Sequence, residues 1–155
     1  MADQREKFDE AILRIYNYTY LDNRFPREYL PGVALLPREM HLVDTILRHP
    51  GITLTELSRI TGIPKSMISK MSRELEKREI IKRYKVDGNQ KEVHYKGTDL
   101  GRQVFDAHIR FHRIHDKKFY DYFSALPEEQ QIFLVETLSK YADYMRDFST
   151  ERTSR

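Results

Sequence analysis

The chain of 155 residues has no cysteine, which excludes disulfides, thiolate metal sites and sensing through a thiol. It also has no apolar run long enough to cross a bilayer. Its first residues, Met1 to Lys7, are charged and lack an apolar signal core, so a cytoplasmic protein without membrane contact is expected. Glycines are few and scattered: Gly51, Gly62, Gly88, Gly97 and Gly101 each stand alone, which leaves no phosphate-cradling loop. Serines occur without a nucleophile elbow, and acids fall in helical charge patterns such as Glu74, Glu76, Lys77 and Arg78 that read as a solvated face. Neither an enzyme nor a cofactor is expected.

What is present is a mainly helical chain, 39% hydrophobic and of modest net charge, +3. The charge is unevenly placed. Between Lys65 and Lys91 nine Lys and Arg face four Asp and Glu. That segment overlaps and extends the most informative stretch of the sequence, Thr53 to Lys70. Thr53 and Glu56 have capping-box spacing, Leu57 and Ile60 are expected to face inward, Gly62 can end the helix in the left-handed conformation, and Pro64 suits a helix start. In the second helix Ile68, Met71 and Leu75 recur at helical spacing, which puts Lys65, Ser66, Met67, Ser69, Lys70 and Arg73 on or near the opposite face. Two short helices joined by such a turn make a helix-turn-helix. Directly after it, Ile80–Val86 and Lys91–Tyr95 flank Asp87–Gly88–Asn89–Gln90, which reads as a hairpin, or wing, with Gln90 and Lys91 at its tip.

These residues resemble the MarR winged-helix repressors. The similarity covers nearly the whole chain and is densest from Leu36 to Gly101. It includes Glu56–Leu57, Ser66 to Lys70, Leu75–Glu76–Lys77–Arg78 and Thr98–Asp99–Leu100–Gly101, which is similar to the family's Leu-Thr-x-x-Gly ending with Gly97 in place of leucine. The resemblance implies a mainly α fold, a winged helix-turn-helix with a small β-hairpin wing over residues 36–97, and long dimerisation helices over 1–35 and 98–150. Residues 151–155 read as a disordered tail. The implied function is a homodimeric, ligand-modulated regulator, a repressor that reads pseudo-palindromic double-stranded DNA through Thr53, Thr55, Lys65, Ser66, Met67, Ser69, Lys70, Arg73, Gln90 and Lys91. The wing departs from the family pattern. Where the family carries Asp-Arg-Arg, this chain has Asn89, Gln90 and Lys91, and a lysine lacks the planar fork of arginine. A winged helix that binds protein rather than specific DNA is the alternative.

Apolar stripes extend to both ends of the chain. Phe8, Ile12, Ile15, Tyr16 and Tyr20 lie on a first helix, followed by a loop from Asp22 to Gly32. A long helix from Thr98 carries Val104 to Phe123, and a last one opens at Pro127 and runs through Phe148. This is more apolar surface than one small domain hides, which agrees with dimerisation and opposes a monomeric bundle.

Three histidines bear on the effector. His108 and His112 are four apart on one helix face, and His41 lies in an earlier helix. They can be interhelical hydrogen-bonding groups with no ligand. They can also hold zinc, as a His pair and a further His do in zinc-responsive members of the family, although those members' thiolate has no counterpart here. Glu39–Met40–His41 and His108–Ile109–Arg110–Phe111–His112 are also similar to the Gram-positive repressors of fatty-acid synthesis. That resemblance implies a small apolar or acyl-type effector, with His41, His108, Arg110 and His112 at its pocket. The apolar ligand ranks above zinc, because no soft thiolate is present and Arg110 sits between the two histidines.

Overall fold

The computed structural model describes residues 3–153, except for the side chains of Gln90 and of residues 149–153. The chain divides into two compact units, residues 1–108 and 109–155. The first holds α1 (Gln4–Asp22), β1 (Arg27–Leu30), β2 (Val33–Leu35), α2 (Pro37–Arg48), α3 (Leu54–Thr61), α4 (Lys65–Lys77), β3 (Ile81–Val86), β4 (Asn89–Gly97) and the first part of α5 (Asp99–His115). The second holds the end of α5, then α6 (Lys117–Ala125) and α7 (Glu128–Thr153). The fold is the mainly helical winged helix expected.

The core belongs to the first unit. Leu35, Met40, Leu42, Val43 and Ile46 pack with Leu57 of α3, Ile68, Met71 and Leu75 of α4, Ile81 of β3, Tyr95 of β4 and Val104 of α5. Each such side chain contributes about 1.5–3 kcal/mol by leaving water, which the short helices could not supply by hydrogen bonding alone. Ile60 departs from expectation: it is 45% exposed, because α3 is only two turns long and its inward stripe is already filled by Leu57.

Local chemistry sets the ends of these elements. The Thr53 hydroxyl accepts the Glu56 N–H at 3.2 Å, and the Glu56 carboxylate accepts both the Thr53 N–H and its hydroxyl at 2.8 Å. Gly62 then ends α3 at φ 69°. At the far end of α4 the Ile80 N–H reaches the Leu75 carbonyl and the Glu79 N–H reaches that of Glu76, with Glu79 itself left-handed at φ 58°. That double closure turns the chain sharply from α4 into β3.

Four sequence expectations are corrected. The supposed loop from Asp22 to Gly32 contains β1, which pairs antiparallel with β2 around Pro31 and Gly32. These strands are too short to give a readable alternation. The wing turn is tighter than the four residues proposed: Val86 pairs with Asn89, so Asp87 and Gly88 alone form the turn, and Asn89 and Gln90 belong to β4. The helix from Thr98 is interrupted at Asp116, which takes φ −95° and ψ −1° and separates α5 from α6. An aspartate inside a helix competes with the backbone for hydrogen bonds, and here its carboxylate is held by His112 one turn back. Finally, α7 runs to Thr153, so residues 151–153 of the expected tail are helical, while Ser154 and Arg155 lie outside the described residues.

Candidate nucleic-acid interface

The face presented by α4 follows from its buried stripe. Ile68, Met71, Ser72 and Leu75 point into the core, and Ser72 is accommodated because its hydroxyl hydrogen-bonds with that of Tyr95 and with the Ser69 carbonyl. Burial pushes the Tyr95 phenol up, against the lowering effect of Ser72. On the outside, Lys65, Ser66, Met67, Lys70 and Arg73 are exposed and Ser69 is half-buried. Hydroxyls, amines and a guanidinium on an exposed face match the hydrogen-bonding edges and phosphates of a major groove.

Interactions that are not legible in the sequence hold this helix in place. Glu76, expected on a solvated face, instead clamps β3. Its carboxylate accepts the Arg83 N–H at 2.9 Å and the guanidinium at 2.5 Å and 2.7 Å. Burial alone would raise the Glu76 carboxyl, but the Arg83 amide, guanidinium and charge outweigh it and hold the group below the ordinary carboxylate range. The clamp is therefore complete at neutral pH and weakens only as acid takes the pH through that lowered value. Arg78 is not a free surface cation either, since its guanidinium donates to the Ala34 carbonyl of β2 at 2.7 Å. Of that quartet only Glu74 and Lys77 form an exposed pair, at 2.9 Å.

The wing is tied to the reader by backbone. The Gly51 N–H donates to the Tyr95 carbonyl at 2.9 Å and the Tyr95 N–H to the Ile52 carbonyl at 3.0 Å, while His94 Nδ1 lies 2.8 Å from the Gly51 carbonyl. The segment before α3 thus adds a short third strand edge to β4, with Thr53 bridged to His94. Consequently Thr53 is committed: its hydroxyl caps α3. Thr55 is exposed, and with Asn89 and Lys91 it lines a groove between the start of α3 and the wing tip. The Asn89 side-chain oxygen Oδ1 accepts the N–H groups of Lys91 and Glu92 at 3.3 Å, so Asn89 shapes the tip while Lys91 is exposed. The side chain of Gln90 lies outside the described residues.

The histidines divide differently. His108 is nearly buried in the first unit, its ring 6.1 Å from that of His41 and 5.6 Å edge-on to Tyr29, with Nε2 3.9 Å from an Asp44 carboxylate oxygen. His41 itself is exposed. Ring nitrogens of His41 and His108 come within 4.8 Å of each other. His112 Nδ1 is held by the Asp116 carboxylate. Arg110 is exposed, on a different face of α5 from the two histidines.

A capped two-helix reader with a cationic outer face and a wing pinned beside it defines a winged-helix DNA-binding protein. Residues 35–93, which hold the helix-turn-helix and most of the wing, match the model of the MarR family. The chain is 29% identical over 138 residues to the HTH-type transcriptional regulator PchR of Bacillus subtilis (strain 168), covering 87% of this chain and 82% of that protein. Two solved structures share the fold. Streptococcus pneumoniae FabT in complex with DNA superposes with a TM-score of 0.66 at 21% identity, over 94% of this chain and 99% of that one. Lactococcus lactis ZitR, a zinc-responsive member of the family, gives 0.64 at 17% identity, over 92% and 99%.

Proposed function

We propose that the protein is a homodimeric repressor whose two α4 helices read the halves of a pseudo-palindromic operator under the control of an effector. The carrying observation is the outer face of α4, where Lys65, Ser66, Lys70 and Arg73 stand exposed on a helix clamped at its far end by Glu76 and Arg78. Support for the dimer comes from the chain ends. None of α1 is buried, and Phe133 of α7 is 66% exposed alongside Ile132, Val135 and Leu138. Surface of that kind marks an interface. The test is footprinting on the DNA upstream of the protein's own gene. Replacing Ser69 and Lys70 together by alanine is expected to cost about 1–3 kcal/mol for each base-edge hydrogen bond removed and to narrow the gap between specific and random duplex. A double variant that footprints like wild type would remove α4 from the reading role.

For the effector, the approach of the histidine nitrogens favours a divalent cation over the apolar ligand that the sequence ranked above it. Two ligands of a tetrahedral zinc stand roughly 3.3 Å apart, a spacing that small side-chain rotations reach from within 4.8 Å. An Asp44 carboxylate oxygen lies 3.9 Å from His108 Nε2, but both Asp44 oxygens already bind Arg48, at 2.7 Å and 3.1 Å. Calorimetric titration of metal-stripped protein is expected to give a zinc isotherm that disappears in His108→Ala. Silence with zinc, together with heat and a negative heat-capacity change on adding a long-chain acyl ligand, would restore the apolar reading.

A further inference from the structure

Met67 is the one apolar side chain of α4 that stands in water. Ile68, Met71 and Leu75 are 0%, 8% and 0% exposed, while Met67 is 45% exposed in the first turn of the helix. At 100° per residue, Ser66, Lys70, Arg73 and Lys77 centre on the side opposite the buried stripe, and Met67 lies beside Lys70 at its margin. A face that only gripped phosphate would gain nothing from a thioether there. In a major groove the base edges offer donors, acceptors and one apolar group, the C5-methyl of thymine. Burying the end of Met67 against N7 or O6 of a purine would strip water from those acceptors and give them no hydrogen bond in return, whereas against a methyl group both partners shed apolar surface.

On the reading of α4 as the DNA-recognition helix, we propose that Met67 is a specificity determinant that selects a thymine in each half-site by packing on its C5-methyl, with Ser66 and Lys70 supplying the polar interactions next to it. Met67 stands outside the buried core cluster that holds the fold together, so its substitution isolates the interaction with DNA.

The experiment selects a duplex from a random library with the full-length protein, then replaces each thymine of a half-site in turn by deoxyuridine, which lacks only the methyl group. Affinity is read by fluorescence anisotropy at one salt concentration. For the wild-type protein one position is expected to weaken binding about fourfold when the methyl is removed, the effect of one buried carbon. Met67→Ala is expected to bind the thymine and deoxyuridine duplexes equally, and Met67→Leu to keep the preference. The inference is overturned if no deoxyuridine matters to wild type, or if Met67→Ala still distinguishes the two duplexes. Failure to enrich any sequence would defeat sequence-specific reading itself, and the Met67 inference with it.

Discussion

A chain ending at Lys140 is expected to sediment as a monomer and to bind operator about 10²–10⁴-fold more weakly than the full-length protein. The deleted segment carries Tyr144, Met145 and Phe148, all exposed in the single chain, so their removal leaves no cavity in the core, which lies between Leu35 and Val104. What is removed is proposed interface. A dimer presents two readers at half-sites one helical turn apart, about 34–36 Å, and the second then binds as an intramolecular event. Separate readers forfeit that advantage while keeping their grip on phosphates, so weak nonspecific binding with a salt dependence should persist. Circular dichroism would show the first unit intact, and sedimentation would read the oligomeric state. A truncated chain that still dimerises would move the interface out of the end of α7.

Gly101→Ala is expected to cost about 3 kcal/mol or more and to lower the melting temperature by roughly 6–12 °C. A Cβ at this position would lie 2.1 Å from the Ile80 carbonyl oxygen and 3.2 Å from its carbon, both backbone atoms. Neither can swing aside as a side chain would. Thr98 fixes the approach, since its hydroxyl touches the Glu79 and Ile80 carbonyls at 2.5 Å and 3.0 Å and accepts the Gly101 N–H at 3.0 Å. An alanine must therefore push the start of α5 away from the turn that leaves α4, loosening Val104 in the core and the placement of the recognition helix together. Set against a total stability of about 5–15 kcal/mol, this is a large fraction. A melt within one or two degrees of wild type would show that α5 can retreat freely.

Close packing, here against a side chain, accompanies a departure from the family pattern. Gly97 stands where a leucine is usual in the Leu-Thr-x-x-Gly ending. Leu47 of α2 occupies that room here, with its Cδ2 only 1.9 Å from where a Cβ of residue 97 would be. Nothing near residue 97 in the sequence announces a leucine fifty positions earlier.

What the sequence by itself determined is what depends on neighbours within a few residues: the Thr53–Glu56 cap, the Gly62 stop, the buried stripe of Ile68, Met71 and Leu75, and the place of the wing turn, though not its length. Caps and helical periodicity are local chemistry, so they survive being read in one dimension. Only the tertiary structure decided which of the charged residues after Leu75 face water. Glu76 lies on α4 and Arg83 on β3, and Arg78 and Ala34 are forty-four residues apart, so no spacing within one helix links either pair. Tertiary structure likewise brought His41 of α2 against His108 of α5, although each histidine was already visible. Long-range pairing of this kind depends on the closure of the core, in which Leu35, Ile81 and Val104 bring distant segments together, and a sequence pattern carries no record of that closure.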